Sequence, residues 1–138
     1  MPLESFTGTW IFDAENSQLT SSSPLHWVQR VNMTGGRIRV HEEITRSTEL
    51  VTTNVDASPD GKFYPVNDSP IADEISYTIE VNEIAGIGRK AGAISLREKL
   101  SLLNNDEMTM ALTVIMNGKE IYLGVAHFNR EMKNFDLD

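Results

Sequence analysis

Apolar residues recur at every second position along most of the chain, which is the pattern of half-buried β-strands. The clearest run is Met108, Met110, Leu112, Val114 and Met116, whose side chains would share one face of a strand. No window sustains the i, i+3, i+4, i+7 spacing of an amphipathic helix. The pattern therefore predicts an all-β chain.

Turn-forming residues divide the chain into about nine or ten short segments. We predict strands at residues 9–13, 25–34, 37–46, 48–55, 63–66, 75–81, 84–90, 94–102, 108–116 and 120–129. Asn117-Gly118 is a strong hairpin signal, whereas Pro65 predicts an edge segment because proline cannot donate a ladder hydrogen bond. Short turns favour pairing between neighbours in an antiparallel up-and-down β-barrel, whose closure removes exposed edges. Such a barrel would enclose a cavity for one small ligand.

Length and composition narrow the classes of function. The 138 residues fit one domain, residues 1–138, and no internal repeat or linker divides them. The chain has no cysteine, which excludes disulfides and thiolate chemistry. A net charge of −8 disfavours nucleic acid and anionic membrane surfaces as partners. The first residues show neither a basic head nor an apolar block, so we expect no export signal and a cytoplasmic location.

Three segments together resemble one group of proteins. They are Phe6-Thr7-Gly8-Thr9-Trp10, Asp60-Gly61-Lys62-Phe63-Tyr64-Pro65-Val66 and Pro70-Ile71-Ala72-Asp73-Glu74-Ile75-Ser76. The group is the bacterial lipocalin-like proteins, of calycin type. The resemblance implies a barrel with an apolar pocket, in which Trp10 plugs the closed end and Arg130 of the last strand lies across its ring. These two positions are structural, and the resemblance implies no catalytic residue.

Two carboxylates fall on faces that should be apolar. Glu98 alternates with Leu96 and Leu100, and Glu42 alternates with Val40 and Ile44. Burial of a lone carboxylate is costly, so each should be paired, hydrated or raised in pKa. A raised pKa would suit a proton-transferring group near neutral pH. Alternatively, Glu98 forms a salt bridge, or a β-bulge turns it outward.

Other polar residues could also reach the interior. His127 follows Ile121, Leu123 and Val125 in an alternating run, and it could act as an acid or base, ligate haem or lie at the barrel rim. Tyr77 could orient a ligand oxygen, or it could be a core residue with its hydroxyl at the surface.

A wall for an apolar ligand is predicted from aromatic and thioether side chains. Trp27 and Gln29 would supply an aromatic surface with one hydrogen-bonding group. Met108, Met110 and Met116 would supply an adaptable apolar surface, although ordinary core packing explains the same stripe.

Two functions are consistent with these patterns. The first is a barrel that binds a small hydrophobic molecule, with Trp27, Gln29, Glu42, Met108, Met110 and Leu112 as ligand-binding residues. The second is a cofactor-independent isomerase, lyase, cyclase or dehydratase for an apolar or polyketide-like substrate. Its catalytic residues would be Glu98 or His127, with Tyr77 or Gln29 stabilising an oxyanion.

A haem-binding barrel with His127 as axial ligand is a third class, which depends on one residue. The three histidines lie far apart in sequence, so we expect no metal site and no cofactor. We expect no nucleic acid or membrane partner, and the sequence leaves a homodimer open.

Overall fold

Within residues 3–20 and 24–132, the chain forms ten β-strands preceded by a short 3-10 helix. The computed structural model describes residues 3–20 and 24–132, without the side chains of Tyr122 and Leu123. The elements are η1 (Leu3–Phe6), β1 (Gly8–Leu19), β2 (His26–Asn32), β3 (Ile38–Arg46), β4 (Glu49–Ala57), β5 (Phe63–Asn67), β6 (Glu74–Glu80), β7 (Glu83–Lys90), β8 (Ala93–Leu102), β9 (Glu107–Met116) and β10 (Lys119–Arg130). No helix in the described ranges is long and apolar enough to cross a membrane.

The ten strands close into an antiparallel barrel. Every strand pairs with its neighbours in the chain, and β1 pairs with β10 to complete the ring. The predicted all-β, up-and-down architecture is therefore confirmed. Asn117 and Gly118 join β9 to β10 with positive φ values of 53° and 76°. These are the backbone angles that a two-residue hairpin of this sequence favours.

Strand β5 differs from the predicted edge segment, because it has a partner on each side. Asn67 and Val66 pair with β4, while Phe63, Tyr64 and Pro65 pair with β6. The two partners thus use different halves of the strand. Pro65 pairs with Glu74 alone, so its missing N–H is accommodated within a closed sheet.

An irregularity between β7 and β8 changes which side chains face inward at the start of β8. The pairing register shifts between Gly88 and Arg89. Ile94 is exposed as a result, and its neighbour Ser95 is buried. The alternation from Leu96 to Leu102 is unaffected, because these residues lie beyond the shift.

One end of the barrel is closed by η1 and large side chains. The Trp10 indole is fully buried and donates a hydrogen bond to the Phe6 carbonyl at 2.8 Å. The Arg130 guanidinium lies 4.3 Å from the centre of the Trp10 ring. It also donates to the carbonyls of Thr7 at 2.6 Å and Ser5 at 2.8 Å. This end is therefore packed with buried side chains.

Candidate functional site

The barrel interior contains a cavity of about 300 Å³. Most of its wall is aliphatic and comes from eight strands and the 68–73 loop, with members such as Val40, Ile44, Val55, Ile75, Leu100 and Val114. The lining reaches Arg46, Met116 and Ile121, which lie beside the turns opposite the closed end. The cavity therefore opens at that end of the barrel, its mouth.

Glu42 lies on the wall of the cavity and accepts three hydrogen bonds. Its Oε2 atom accepts from the Trp27 indole N–H at 2.7 Å and from the Gln29 amide at 2.5 Å. Its Oε1 atom accepts from the Thr53 hydroxyl at 3.3 Å. Protein donors thus replace much of the water that a carboxylate loses on burial.

Strand register produces this cluster. Gln29 lies directly opposite Glu42 on β2, and Thr53 lies directly opposite it on β4. Cross-strand partners in an antiparallel sheet have Cβ atoms only about 5 Å apart. Three polar side chains on adjacent strands therefore meet without any change in backbone direction.

Glu98 and Tyr77 form a second polar group on the cavity wall. Both residues lie directly opposite Gly86, Tyr77 on β6 and Glu98 on β8. A methyl group at Gly86 would lie 3.0 Å from the Glu98 Cγ atom and 3.1 Å from the Tyr77 Cε1 atom. Gly86 therefore leaves the space into which both side chains fold, across the backbone of β7.

Glu98 differs from Glu42 in having no hydrogen-bond donor or cation paired with it among the described side chains. Burial raises the pKa of Glu98 to about 8, and the negative charge of Glu42 adds to the effect. Part of the Glu98 surface is still accessible, because the residue faces the cavity. At pH 7 most molecules would thus carry a neutral Glu98.

Tyr77 is also held in its neutral form. Burial raises its pKa well above the usual range, and the nearby charges of Glu98 and Glu42 raise it further. No described side chain is hydrogen-bonded to its hydroxyl. The hydroxyl is therefore available to donate a hydrogen bond to a guest in the cavity.

The structure brings most of the predicted site residues together around the cavity. Seven of them line it, namely Trp27, Gln29, Glu42, Tyr77, Glu98, Met110 and Leu112. Met108 does not line it, because it is fully buried in the core nearer the closed end. Trp10 and Arg130 lie at the closed end as described above.

His127 is separated from the cavity by the barrel wall. The residue is buried, and its Nε2 atom lies 2.9 Å from Oε1 of Glu107. Its Nδ1 atom lies 3.9 Å from Oδ2 of Asp13 and has no hydrogen bond within the described part of the chain. The adjacent residues Ala126 and Phe128 are buried in the core instead. His127 therefore joins β1, β9 and β10 on the outer face, so the geometry does not favour it as a cavity acid, base or haem ligand.

Three further residues bear on the site although the sequence did not identify them: Thr53 and Arg46 line the cavity, and Gly86 makes room for Glu98 and Tyr77. Thr53 could have been found from the 47–48 turn, which sets the register that places it opposite Glu42. Gly86 carried a signal as a glycine inside a strand, which marks a bend or a close approach. Arg46 had no distinguishing signal, because its place at the mouth follows from barrel closure.

Neither metal-binding geometry nor similarity to known proteins assigns a function to this cavity. Within residues 3–20 and 24–132, no group of three or more His, Asp or Glu side chains is arranged to hold a metal ion. No protein-family profile matches the chain, and no curated protein matches it in sequence.

Proposed function

We propose that the protein is a lipocalin-like barrel that binds a small hydrophobic molecule in its interior. The observation that supports this most is the mainly aliphatic cavity of about 300 Å³, open at one end of a closed barrel. Enclosed apolar pockets with a few polar groups are the usual form of small-molecule sites. A volume of this size holds roughly ten non-hydrogen atoms, at about 30 Å³ for each water-sized group.

The proposal is tested with octan-1-ol, a neutral probe with an apolar chain. Burial of eight carbon groups at about 0.8 kcal/mol each provides about 6 kcal/mol, so we expect a submillimolar dissociation constant by calorimetry. Leu112→Trp fills part of the cavity and should weaken binding at least tenfold. Ala111→Trp adds the same side chain at the exposed neighbouring position and should leave binding unchanged. Absence of octan-1-ol binding to the unmodified protein, or equal binding by both variants, would contradict the proposal.

A second candidate is a cofactor-independent acid–base enzyme on the same scaffold. It is favoured by the placement of Glu98 and Tyr77 on either side of Gly86, together with a Tyr77 hydroxyl that has no hydrogen bond to the described residues. A pKa of about 8 makes Glu98 mainly a proton donor at pH 7 and a base above pH 8. Tyr77, kept neutral, would stabilise an oxyanion on the substrate, whereas the Gln29 amide already donates to Glu42.

Isomerisation of cyclohex-3-enone to cyclohex-2-enone tests this candidate, because it moves a proton next to a carbonyl group. The enzyme hypothesis predicts a rate that rises with pH to a plateau above about pH 8. Glu98→Gln should lower that rate about 10²-fold without unfolding the barrel. Full activity in the Glu98→Gln variant would exclude Glu98 as the base.

A further inference from the structure

The cavity wall is mainly apolar, but it also carries charged side chains, and most of these are acidic. Among the described residues that line it, Glu42 and Glu98 are acidic and Arg46 alone is basic. Arg46 is exposed and lies at the mouth, at the last position of β3. The deeper part of the described wall therefore carries two acidic side chains and no basic one.

The two acidic groups are not equivalent toward a guest molecule. Glu42 is occupied by Trp27, Gln29 and Thr53, which together hold both of its oxygens. Glu98 has no such donors among the described side chains, and its carboxyl group faces the cavity. A buried carboxylate without a partner gains most from a cation or a hydrogen-bond donor. Glu98 is thus the polar anchor that a ligand can complete.

We infer that the cavity takes an apolar molecule carrying a protonated amine, with its ammonium group bound to the Glu98 carboxylate. This inference deepens the proposed binding function and depends on it. The aliphatic wall accommodates the apolar body, while Glu42 adds negative charge that favours a cation. The Tyr77 hydroxyl supplies a further oxygen that can accept a hydrogen bond from the ammonium group. A fatty acid is disfavoured once Glu98 is ionised, because its carboxylate would then join two acidic groups on the cavity wall.

Uptake of the cation is coupled to release of a proton. Because the pKa of Glu98 is about 8, binding an ammonium group at pH 7 requires Glu98 to lose its proton. The affinity for an amine should therefore rise up to tenfold for each pH unit from pH 6 to 8. It should level off above pH 8, until the amine itself loses its proton near pH 10. The other titratable or charged groups on the described lining are Glu42 and Arg46 of β3 and Tyr77 of β6; β7, β8 and β9 contribute none besides Glu98.

Three probes with the same eight-carbon chain test the inference by calorimetry at pH 8: octylamine, octan-1-ol and octanoate. We expect octylamine to bind at least tenfold more tightly than octan-1-ol, and octanoate at least tenfold more weakly. Glu98→Gln should bring the dissociation constants of octylamine and octan-1-ol to similar values and remove the pH dependence of octylamine binding. Glu131→Gln removes the same charge from an exposed position near the closed end and should retain the preference.

The possible results separate this inference from the proposed function. Equal binding of octylamine and octan-1-ol to the unmodified protein would overturn the inference and leave the binding function intact. A preference for octylamine that survives in Glu98→Gln would overturn the role of Glu98. Failure of both octylamine and octan-1-ol to bind would overturn the binding function together with the inference. The comparison of octanoate with octan-1-ol needs no variant, so it does not depend on whether Glu98→Gln folds.

Discussion

Two glutamates on the same cavity wall differ because of their immediate neighbours. Glu42 faces three donors on β2 and β4, whereas Glu98 faces a glycine and a leucine as its cross-strand partners. Burial without such donors favours the protonated form of Glu98. The chemistry of each residue is therefore set by what lies opposite it in the sheet.

The raised pKa of Glu98 predicts that the protein loses stability as pH rises. Between its ordinary value of 4.5 and about 8, Glu98 is protonated in the folded chain and ionised in the unfolded chain. The folded state then binds more protons, so the free energy of unfolding falls with increasing pH, by at most about 1.4 kcal/mol for each unit. Water that enters the cavity would lower the pKa of Glu98 in the folded chain and so narrow this pH range. The stability that the folded chain gains from a protonated Glu98 is fully present below pH 4.5 and fully lost above about pH 8.

Urea denaturation at pH 5, 6, 7 and 8 measures the effect. Glu98→Gln should gain about 1–3 kcal/mol of stability relative to the unmodified protein between pH 5 and pH 8. The exposed Glu131→Gln variant should have the same free energy of unfolding as the unmodified protein at each pH. Parallel pH profiles for the unmodified protein and Glu98→Gln would show that Glu98 is not protonated in the folded state.

At the scale of elements, the barrel depends on the junction of its first and last strands. Trp10 pairs with Arg130 across β1 and β10, and Phe12 pairs with Phe128. Arg130 also donates from Nε to the Asn105 carbonyl at 2.6 Å, which joins this junction to the turn between β8 and β9. One side chain thus connects η1, β1 and that turn at the closed end.

Replacement of Arg130 should therefore weaken the whole closed end. Arg130→Met keeps much of the side-chain length but removes the donors to residues 5, 7 and 105 and the contact of the cation with the Trp10 ring. We expect a loss of about 2–3 kcal/mol in the free energy of unfolding, because hydrogen bonds from a charged donor are lost. Arg97→Met is the control, since Arg97 is exposed on β8 and has no ion pair within the described residues. Equal stability of the two variants would contradict this role of Arg130.

At the scale of the whole molecule, closure of the ring creates the interior. Ten strands give every strand two partners, so the sheet has no free edge, and alternate side chains converge on one axis. Large residues such as Trp10, Met33 and Phe128 occupy one end of that axis. At the other end, aliphatic and polar side chains surround the cavity without filling it.

The alternation of residue types determined much of this fold in advance. A period of two along a strand is a local property, so it assigned Glu42 and Glu98 to apolar faces without knowledge of any partner strand. Turn residues such as Asn117-Gly118 likewise determine local backbone angles, which made neighbour-to-neighbour pairing predictable. The strands, the meander and several cavity residues could therefore be inferred from the chain alone.

Tertiary structure decided what the sequence pattern left open. Alternation assigns a residue to a face but not to a height along the barrel, so Met108 and Met110 differ in whether they reach the cavity. The run ending in His127 also left its face ambiguous, and only the pairing of β10 placed it against Glu107. The partners of Glu42 and Glu98 come from the neighbouring strands, and the pairing register decides which residue of each neighbour lies opposite each carboxylate. Contacts across strands depend on register and closure, which are properties of the assembled barrel and of no single segment.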